Sequence, residues 1–252
     1  MKSVLQWQPV LQDRATESFS YYLPREALPF SDVRLEQWFQ RLLEAPDDSW
    51  SDSFYKGKKL LRKTAWCVFD LDCACEYGYS DTWQPQTQGF RSILQEITKE
   101  VESLVLGGTP GNSSLSFNCC NLNYYPAGGG VGFHADDESL FDGLNRPINI
   151  ISLSLTKGVG HGSRLFQIRK SDASEGECSA TEIMLHHGDL LTMEGAFQKH
   201  YHHAVWPGDE ITKYVDHELC QSERINLTWR TIVNHLDGSV RGVACPLRNT
   251  NE

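Results

Sequence analysis

Apolar residues recur at helical spacing twice in the first half of the chain. After Ser31-Asp32, the positions Leu35, Trp38, Phe39, Leu42 and Leu43 mark one face of an amphipathic helix that ends near Pro46. Phe90, Ile93, Leu94, Ile97 and Val101 mark a second helix over residues 89–105. The stretch GGTPGNSS at 107–114 then breaks the pattern. Beyond it, short segments at 115–125, 148–155, 164–169, 181–185, 188–193, 201–206 and 224–233, each bounded by turn residues, read as strands. Helix first and strands afterwards predict an α+β organisation with a mostly antiparallel second half, compatible with a sandwich, a jelly roll or a barrel. Residues 1–31, punctuated by Pro9, Pro24 and Pro29, read as irregular, and the tail from 241 carries no pattern and is expected to be poorly ordered.

With 252 residues, 40% of them hydrophobic and 11% aromatic, the chain suits one large domain or one domain with an elaborated lid. No apolar run approaches the ~18 residues of a membrane-crossing helix. The opening MKSVLQWQPVLQDRATESF carries charge and Gln where a signal peptide needs an unbroken apolar run, so an intracellular protein is expected, nuclear or cytoplasmic. In such a chain the eight cysteines (Cys67, Cys73, Cys75, Cys119, Cys120, Cys178, Cys220, Cys245) read as reduced thiols. Cys73-Ala-Cys75 is closer than the usual C-x2-C zinc knuckle, and no matching second pair follows. The net charge of −10 argues against non-specific coating of nucleic acid. Against that background Lys56, Lys58, Lys59, Arg62 and Lys63 form a basic run, either a solvated face or a local docking patch.

Chemistry concentrates in the segment from Asn123 to Glu138, NYYPAGGGVGFHADDE. On a strand, His134 and Asp136 share one face, and an imidazole beside a carboxylate is half of a metal site. A second histidine would complete the two-His-one-carboxylate triad of non-haem iron oxygenases, which leaves open positions on the metal. The glycine run before it lacks the spacing of a dinucleotide fingerprint and reads as a flexible turn. The segment QKHYHHAVWP offers His200, His202 and His203 as the second imidazole, and strand periodicity does not choose among them. His186 and His187 precede Gly188-Asp189 and read as surface groups at a turn. In RINLTWR, Ile225, Leu227 and Trp229 alternate with Arg224, Asn226, Thr228 and Arg230. The polar face of that strand either meets water or lines a cavity where two arginines, ~20 Å apart along the strand, lean in on a dicarboxylate.

Taken in order, N-x-Y, H-x-D, a distal His and R-x5-R resemble the AlkB family of Fe(II)- and 2-oxoglutarate-dependent dioxygenases. The strings NLNYYPAGGGVGFHADDE, LLTMEGAFQKHYHHAVWPGD and RINLTWRTIV carry the resemblance over roughly residues 115–234, with a looser likeness over 60–100. The resemblance implies a double-stranded β-helix (jelly roll) core with flanking helices and an N-terminal nucleotide-recognition lid. It divides the chain into an N-terminal extension over 1–55, a lid and supporting helix over 56–113, the dioxygenase core over 114–240 and a tail over 241–252. It makes His134, Asp136 and His203 the iron ligands, selecting His203 among the three histidines. It pairs Arg224 with the distal carboxylate of 2-oxoglutarate and places Arg230 near the keto-acid end, in a catalytic as well as a co-substrate role. Bidentate guanidinium–carboxylate pairing is why arginine suits that task. Asn123 and Tyr125 would hydrogen-bond the co-substrate. Asp137 would contact the target base and take part in catalysis, while Trp66, Tyr77 and Tyr79 stand where the lid aromatics of the family are expected.

The activity so implied consumes 2-oxoglutarate and O2 and demethylates N-alkylated bases in DNA or RNA, releasing formaldehyde, succinate and CO2. A monomer acting on alkylated nucleic acid away from membranes is the expected form. The acidic net charge favours a second reading, a dioxygenase of protein side chains or small metabolites. A catalytically silent nucleic-acid-binding module is a third, and the intact ligand and arginine positions count against it.

Overall fold

The computed structural model describes residues 5–55, 57–79, 82–105, 117–173, 180–206, 222–238 and 244–248. Two antiparallel sheets organise them. The larger contains β1 (Gln8–Asp13), β2 (Ser18–Leu23), β3 (Ser51–Tyr55), β4 (Lys58–Val68), β7 (Cys119–Tyr125), β9 (Ile148–Thr156), β12 (Leu190–Gly195) and β14 (Arg224–Arg230), in the order β1-β2-β12-β9-β14-β7-β4-β3. The smaller has the order β11-β10-β13-β8, from β8 (Val131–His134), β10 (Arg164–Lys170), β11 (Thr181–Leu185) and β13 (Tyr201–Trp206). A separate hairpin pairs β5 (Tyr77–Tyr79) with β6 (Thr82–Gln84). Helices α1 (Asp32–Leu43), α2 (Arg91–Val105) and the single turn α3 (Phe197–His200), with two 3-10 turns at Arg25–Ala27 and Asp47–Ser49, complete the described elements.

The sheets meet through Ile150, Leu191 and Met193 of the large one and Phe166, Ile168 and Val205 of the small one, which form a continuous core. Helices α1 and α2 cover the opposite face of the large sheet. There Leu35, Trp38, Phe39, Ile97 and Val101 pack against Leu122, Leu153, Ile225, Leu227 and Trp229. Ser31 caps α1, its hydroxyl oxygen accepting the Arg34 N–H at 3.2 Å, as the sequence signal required. This is the jelly-roll arrangement with flanking helices that the sequence predicts.

All seven residues of β14 are buried. Its apolar side faces the helices, so its polar side faces the space between the sheets instead of water. The expected strands all form, with β7 starting at Cys119, β12 at Leu190 and β14 ending at Arg230; residues 115 and 116 lie outside the described ones. The irregular reading of residues 1–31 is corrected, because β1 and β2 extend the large sheet beside β12. The signal there was inverted. In β2 the fully buried positions are Ser18, Ser20 and, at its end, Leu23; Ser20 donates its hydroxyl to the Thr192 carbonyl at 2.7 Å, while Phe19 and Tyr21 are only half-buried. A hydrophobic pattern search therefore finds no inward face.

Two other local expectations also change. His200 ends α3 and is not on a strand face with His202. His187 is buried, its Nδ1 accepting the Thr156 N–H at 3.0 Å, while His186 stays exposed at the turn. The glycine loop before β8 is fixed by Arg164. That fully buried guanidinium donates to the carbonyls of Pro126, Gly129, Gly162, Ser163 and Ser222 at 2.9–3.2 Å. Five backbone carbonyls accept from this buried guanidinium and so hold the loop that delivers His134.

Candidate active site

Between the two sheets lies a cavity lined from three sides. The large sheet contributes Asn121, Asn123, Tyr125, Ser152, Arg224, Asn226, Thr228 and Arg230, and the small sheet His134, Phe166 and His203. Its mouth is edged by the β3–β4 hairpin and by β5–β6, which supply Arg62, Tyr77, Tyr79 and Trp83.

His134 ends β8 and pairs in register with His203 of β13, so neighbouring antiparallel strands set the two imidazoles side by side, with ring centroids 4.3 Å apart. Asp136 follows two residues after His134. Its backbone N–H donates to the Gln198 side-chain oxygen at 2.9 Å, which ties the loop to α3 just before β13. Oδ1 of Asp136 lies 3.7 Å from His134 Nε2 and 4.0 Å from His203 Nε2, and the donor atoms of the three residues all fall within 4.8 Å of one another. His134 Nδ1 contacts the Gly132 carbonyl at 2.8 Å, which makes Nδ1 the protonated nitrogen and leaves the Nε2 lone pair for a metal. Burial pushes His203 down to about 3, with neighbouring His134 adding to the effect, so the ring is a neutral ligand at physiological pH. Burial works against charge on Asp136, but Arg230 together with His203 and His134 outweighs it and holds the carboxyl well below the ordinary range. Two neutral imidazoles and one carboxylate, open on the cavity side, fit iron(II). His202, next along β13, belongs to the other side of the strand.

Arg230 commits Nε, at 3.1 Å, and Nη2 to the same oxygen, Oδ2, of Asp136. It therefore braces the carboxylate. Arg224 is different. It is fully buried, and Nη2 donates to Ser154 Oγ at 2.8 Å and to Asn226 Oδ1 at 2.7 Å. Its Nε and Nη1 have no partner among the described residues, and burial pushes the guanidinium down to about 10. An uncompensated buried cation with two free donors is a site for an anion. Asn226 extends the network by accepting from Ser152 at 3.0 Å and donating to Thr228 at 2.8 Å.

The lid residues separate into three environments. Trp66 is fully buried outside the cavity. It stacks on Tyr77 at 5.1 Å and donates its indole N–H to the Cys75 carbonyl at 2.9 Å, so the sequence expectation of a base-stacking residue is corrected to a core role. Tyr77 is also buried, but it lines the cavity and donates its hydroxyl to Glu138. Tyr79 alone of the three is half-exposed, edge-on to His134 at 6.2 Å and beneath Arg62 at 5.3 Å. Asp137 is exposed and lines a neighbouring groove that shares His134 and Tyr79 with the cavity. Glu138 turns inward instead, and burial followed by the nearby Asp136 charge pushes it up to about 7. The basic run also divides. Lys58, Lys59 and Lys63 are exposed on β4, whereas Arg62 points inward, is buried, and donates to Ser53 Oγ at 3.0 Å; Lys56 lies outside the described residues.

Residues 21–230 match the family model described as the 2OG-Fe(II) oxygenase superfamily. The chain is 32% identical over 163 residues to alpha-ketoglutarate-dependent dioxygenase alkB homolog 3 of Bos taurus, covering 62% of this chain and 48% of that protein. It is 31% identical over 217 residues to the Homo sapiens protein of the same name, covering 81% of this chain and 64% of that protein. The chain thus spans about half to two thirds of the length of these relatives. Among solved structures, that of OsALKBH1 shares the fold, with a TM-score of 0.51 and 17% identity over 84% of this chain and 97% of that one.

Proposed function

The chain belongs to the 2OG-Fe(II) oxygenase superfamily and is of the AlkB type, and from that premise we propose that it oxidatively demethylates N-alkylated bases in DNA or RNA. The observation that supports a working co-substrate site is Arg224, which lines the cavity that holds His134, Asp136 and His203 and whose Nε and Nη1 have no partner among the described residues. A dicarboxylate co-substrate answers that geometry. One carboxylate accepts from Arg224, and Asn123 and Tyr125, on the adjacent β7, face the body of the molecule. His134, Asp136 and His203 would hold iron(II), which would supply the redox chemistry that couples O2 and 2-oxoglutarate to oxidation of an N-methyl group, with succinate, CO2 and formaldehyde as products.

The protein's own residues do the rest. Arg230 orients Asp136 through two hydrogen bonds to one oxygen. Phe166 stacks on His203 at 5.5 Å and keeps that side of the cavity apolar. Tyr79 and Trp83, on the β5–β6 hairpin, offer faces on which an extruded base stacks, and Lys58, Lys59 and Lys63, exposed on β4 of the β3–β4 hairpin, meet phosphates.

The test is succinate release across methylated DNA and RNA oligonucleotides, a methylated peptide, and no primary substrate. Stimulation by an oligonucleotide together with formaldehyde supports the reading. Stimulation by the peptide alone would replace it with the protein-directed dioxygenase that the net charge of −10 favours.

A further inference from the structure

A second cluster of ligand-type side chains lies away from the iron cavity, at the base of the β5–β6 hairpin. Cys73 and Cys75 lie in the loop between β4 and β5, and His235 and Cys245 in the segment that follows β14. Their sequence separations reach 172 residues, so spacing along the chain gives no sign of them as a set. The C-x-C pair lacks a second pair nearby because its partners arrive from the far end of the described chain.

The donor atoms of all four lie within 4.8 Å of one another. The three sulfurs stand 3.6 Å (Cys73), 3.5 Å (Cys75) and 3.3 Å (Cys245) from a single atom, His235 Nδ1. Cys73 Sγ and Cys245 Sγ are 3.8 Å apart. Tetrahedral zinc, with Zn–S ~2.3 Å and Zn–N ~2.0–2.1 Å, requires S–S edges of about 3.8 Å and S–N edges of about 3.6 Å. One imidazole nitrogen carries one lone pair or one proton, and three thiols converging on it cannot all be satisfied by hydrogen bonds. A cation among the four atoms satisfies them all.

Two further features fit thiolates. The Ala74 N–H donates to Cys245 Sγ at 3.3 Å and the Leu236 N–H to Cys75 Sγ at 3.4 Å, the kind of outer hydrogen bond that orients metal-bound sulfur. The loops are also held independently. Gln86 donates to the carbonyls of Cys73 and Cys75 at 2.7 and 3.1 Å, Trp66 to that of Cys75, and the Cys245 N–H to the Leu236 carbonyl at 2.8 Å. All three cysteines are buried beside Val68, Leu140, Leu236 and Leu247. Three buried thiols and one half-buried imidazole suit a structural zinc, in contrast to the oxygen-containing triad that lines the cavity.

We propose that Cys73, Cys75, His235 and Cys245 bind a structural zinc(II) ion that ties the root of the β5–β6 hairpin to the C-terminal segment. Tyr77 begins that hairpin two residues after Cys75, and its hydroxyl reaches Glu138 beside the iron site. The ion therefore fixes the element that places Tyr77 and Tyr79 over the cavity. It is a positioning device and takes no part in oxidation.

The experiment measures zinc by elemental analysis in the wild type, His203→Ala, Cys75→Ser and His235→Cys, each expressed with zinc and iron in the medium. About one zinc per chain is expected to persist in His203→Ala, where the iron triad is broken, and to be lost in Cys75→Ser. His235→Cys preserves four ligands and should keep the ion, which covers the case in which the serine variant does not fold. Cobalt(II) added to metal-stripped wild type should give thiolate-to-cobalt charge-transfer and tetrahedral d–d bands, absent in Cys75→Ser and shifted in His235→Cys. Wild-type protein without zinc or cobalt uptake would overturn the proposal, whether its Cys73, Cys75 and Cys245 titrate as free thiols or Cys73 and Cys245 form a disulfide. Zinc that disappears in His203→Ala and stays in Cys75→Ser would do the same.

Discussion

Arg230 grips one oxygen of Asp136 with both Nε and Nη2, and the other oxygen of the same carboxylate faces the ring nitrogens of His134 and His203. The arginine thus fixes which oxygen is offered to the metal. Arg230→Gln removes one member of a buried ion pair, a change that costs ~3–5 kcal/mol. Iron affinity should fall by roughly 10- to 100-fold, as for other outer partners of metal ligands. Anaerobic iron titration checks it; an affinity equal to wild type would show that Asp136 keeps its orientation unaided.

Arg224 reports on a different step. Arg224→Lys supplies a point charge where a planar fork is needed, and losing a charge-assisted hydrogen bond costs about 1.5–3 kcal/mol. The KM for 2-oxoglutarate should rise on the order of ten- to a hundredfold, with iron binding retained. Initial rates over a range of 2-oxoglutarate concentrations decide this, and an unchanged KM would place the co-substrate elsewhere.

The two adjacent histidines of β13 should separate cleanly. His203→Ala is expected to lose iron and turnover, because its Nε2 is one of the three clustered donors. His202→Ala should keep iron affinity within a few-fold of wild type. Parallel iron titrations of the two variants would overturn the assignment if the losses were reversed.

Trp66 and Tyr79 should also behave oppositely. Trp66 is fully buried, and Trp66→Ala should destabilise the fold by about 3–5 kcal/mol, seen as a lower midpoint in denaturant. Tyr79 is half-exposed at the cavity mouth, so Tyr79→Ala should leave the midpoint nearly unchanged and lower kcat/KM for the primary substrate. A stable Trp66→Ala protein with poor substrate use would return Trp66 to the lid.

Docking of nucleic acid through β4 predicts a salt dependence. Replacing Lys58, Lys59 and Lys63 together by Gln should flatten a slope equivalent to roughly two to four phosphates, at ~0.7–0.9 per contact. Arg62 is left in place because it is buried in the cavity wall. The exposed Lys59–Asp52 pair at 2.6 Å is weak enough to exchange for a phosphate. Binding that proves independent of salt, or of these three lysines, would move weight to a protein or metabolite substrate.

The sequence by itself determined the elements whose hydrophobic period matches their burial. α1 and α2 carry apolar stripes, and β14 alternates strictly, so their existence and inner faces are legible residue by residue. It also placed His134 and Asp136 together as neighbours two residues apart, although not on one strand face as expected: β8 ends at His134, and Asp136 lies in the following loop, held there by Gln198. It did not choose between His202 and His203. That choice rests on the pairing of β13 with β8, which puts His203 opposite His134. The polar face of β14 was equally open, since alternation is the same whether that face meets water or a cavity, and only the second sheet closes the cavity. β2 escaped notice because two of its three buried residues are serines, Ser20 bonded to β12 and Ser18 to Thr16 in the turn before it. The cluster of Cys73, Cys75, His235 and Cys245 escaped for a related reason: ligands 160 and more residues apart meet only where chain topology brings two loops together. Local periodicity records what each segment buries, while register and loop closure decide which buried groups meet, and those are properties of the folded chain alone.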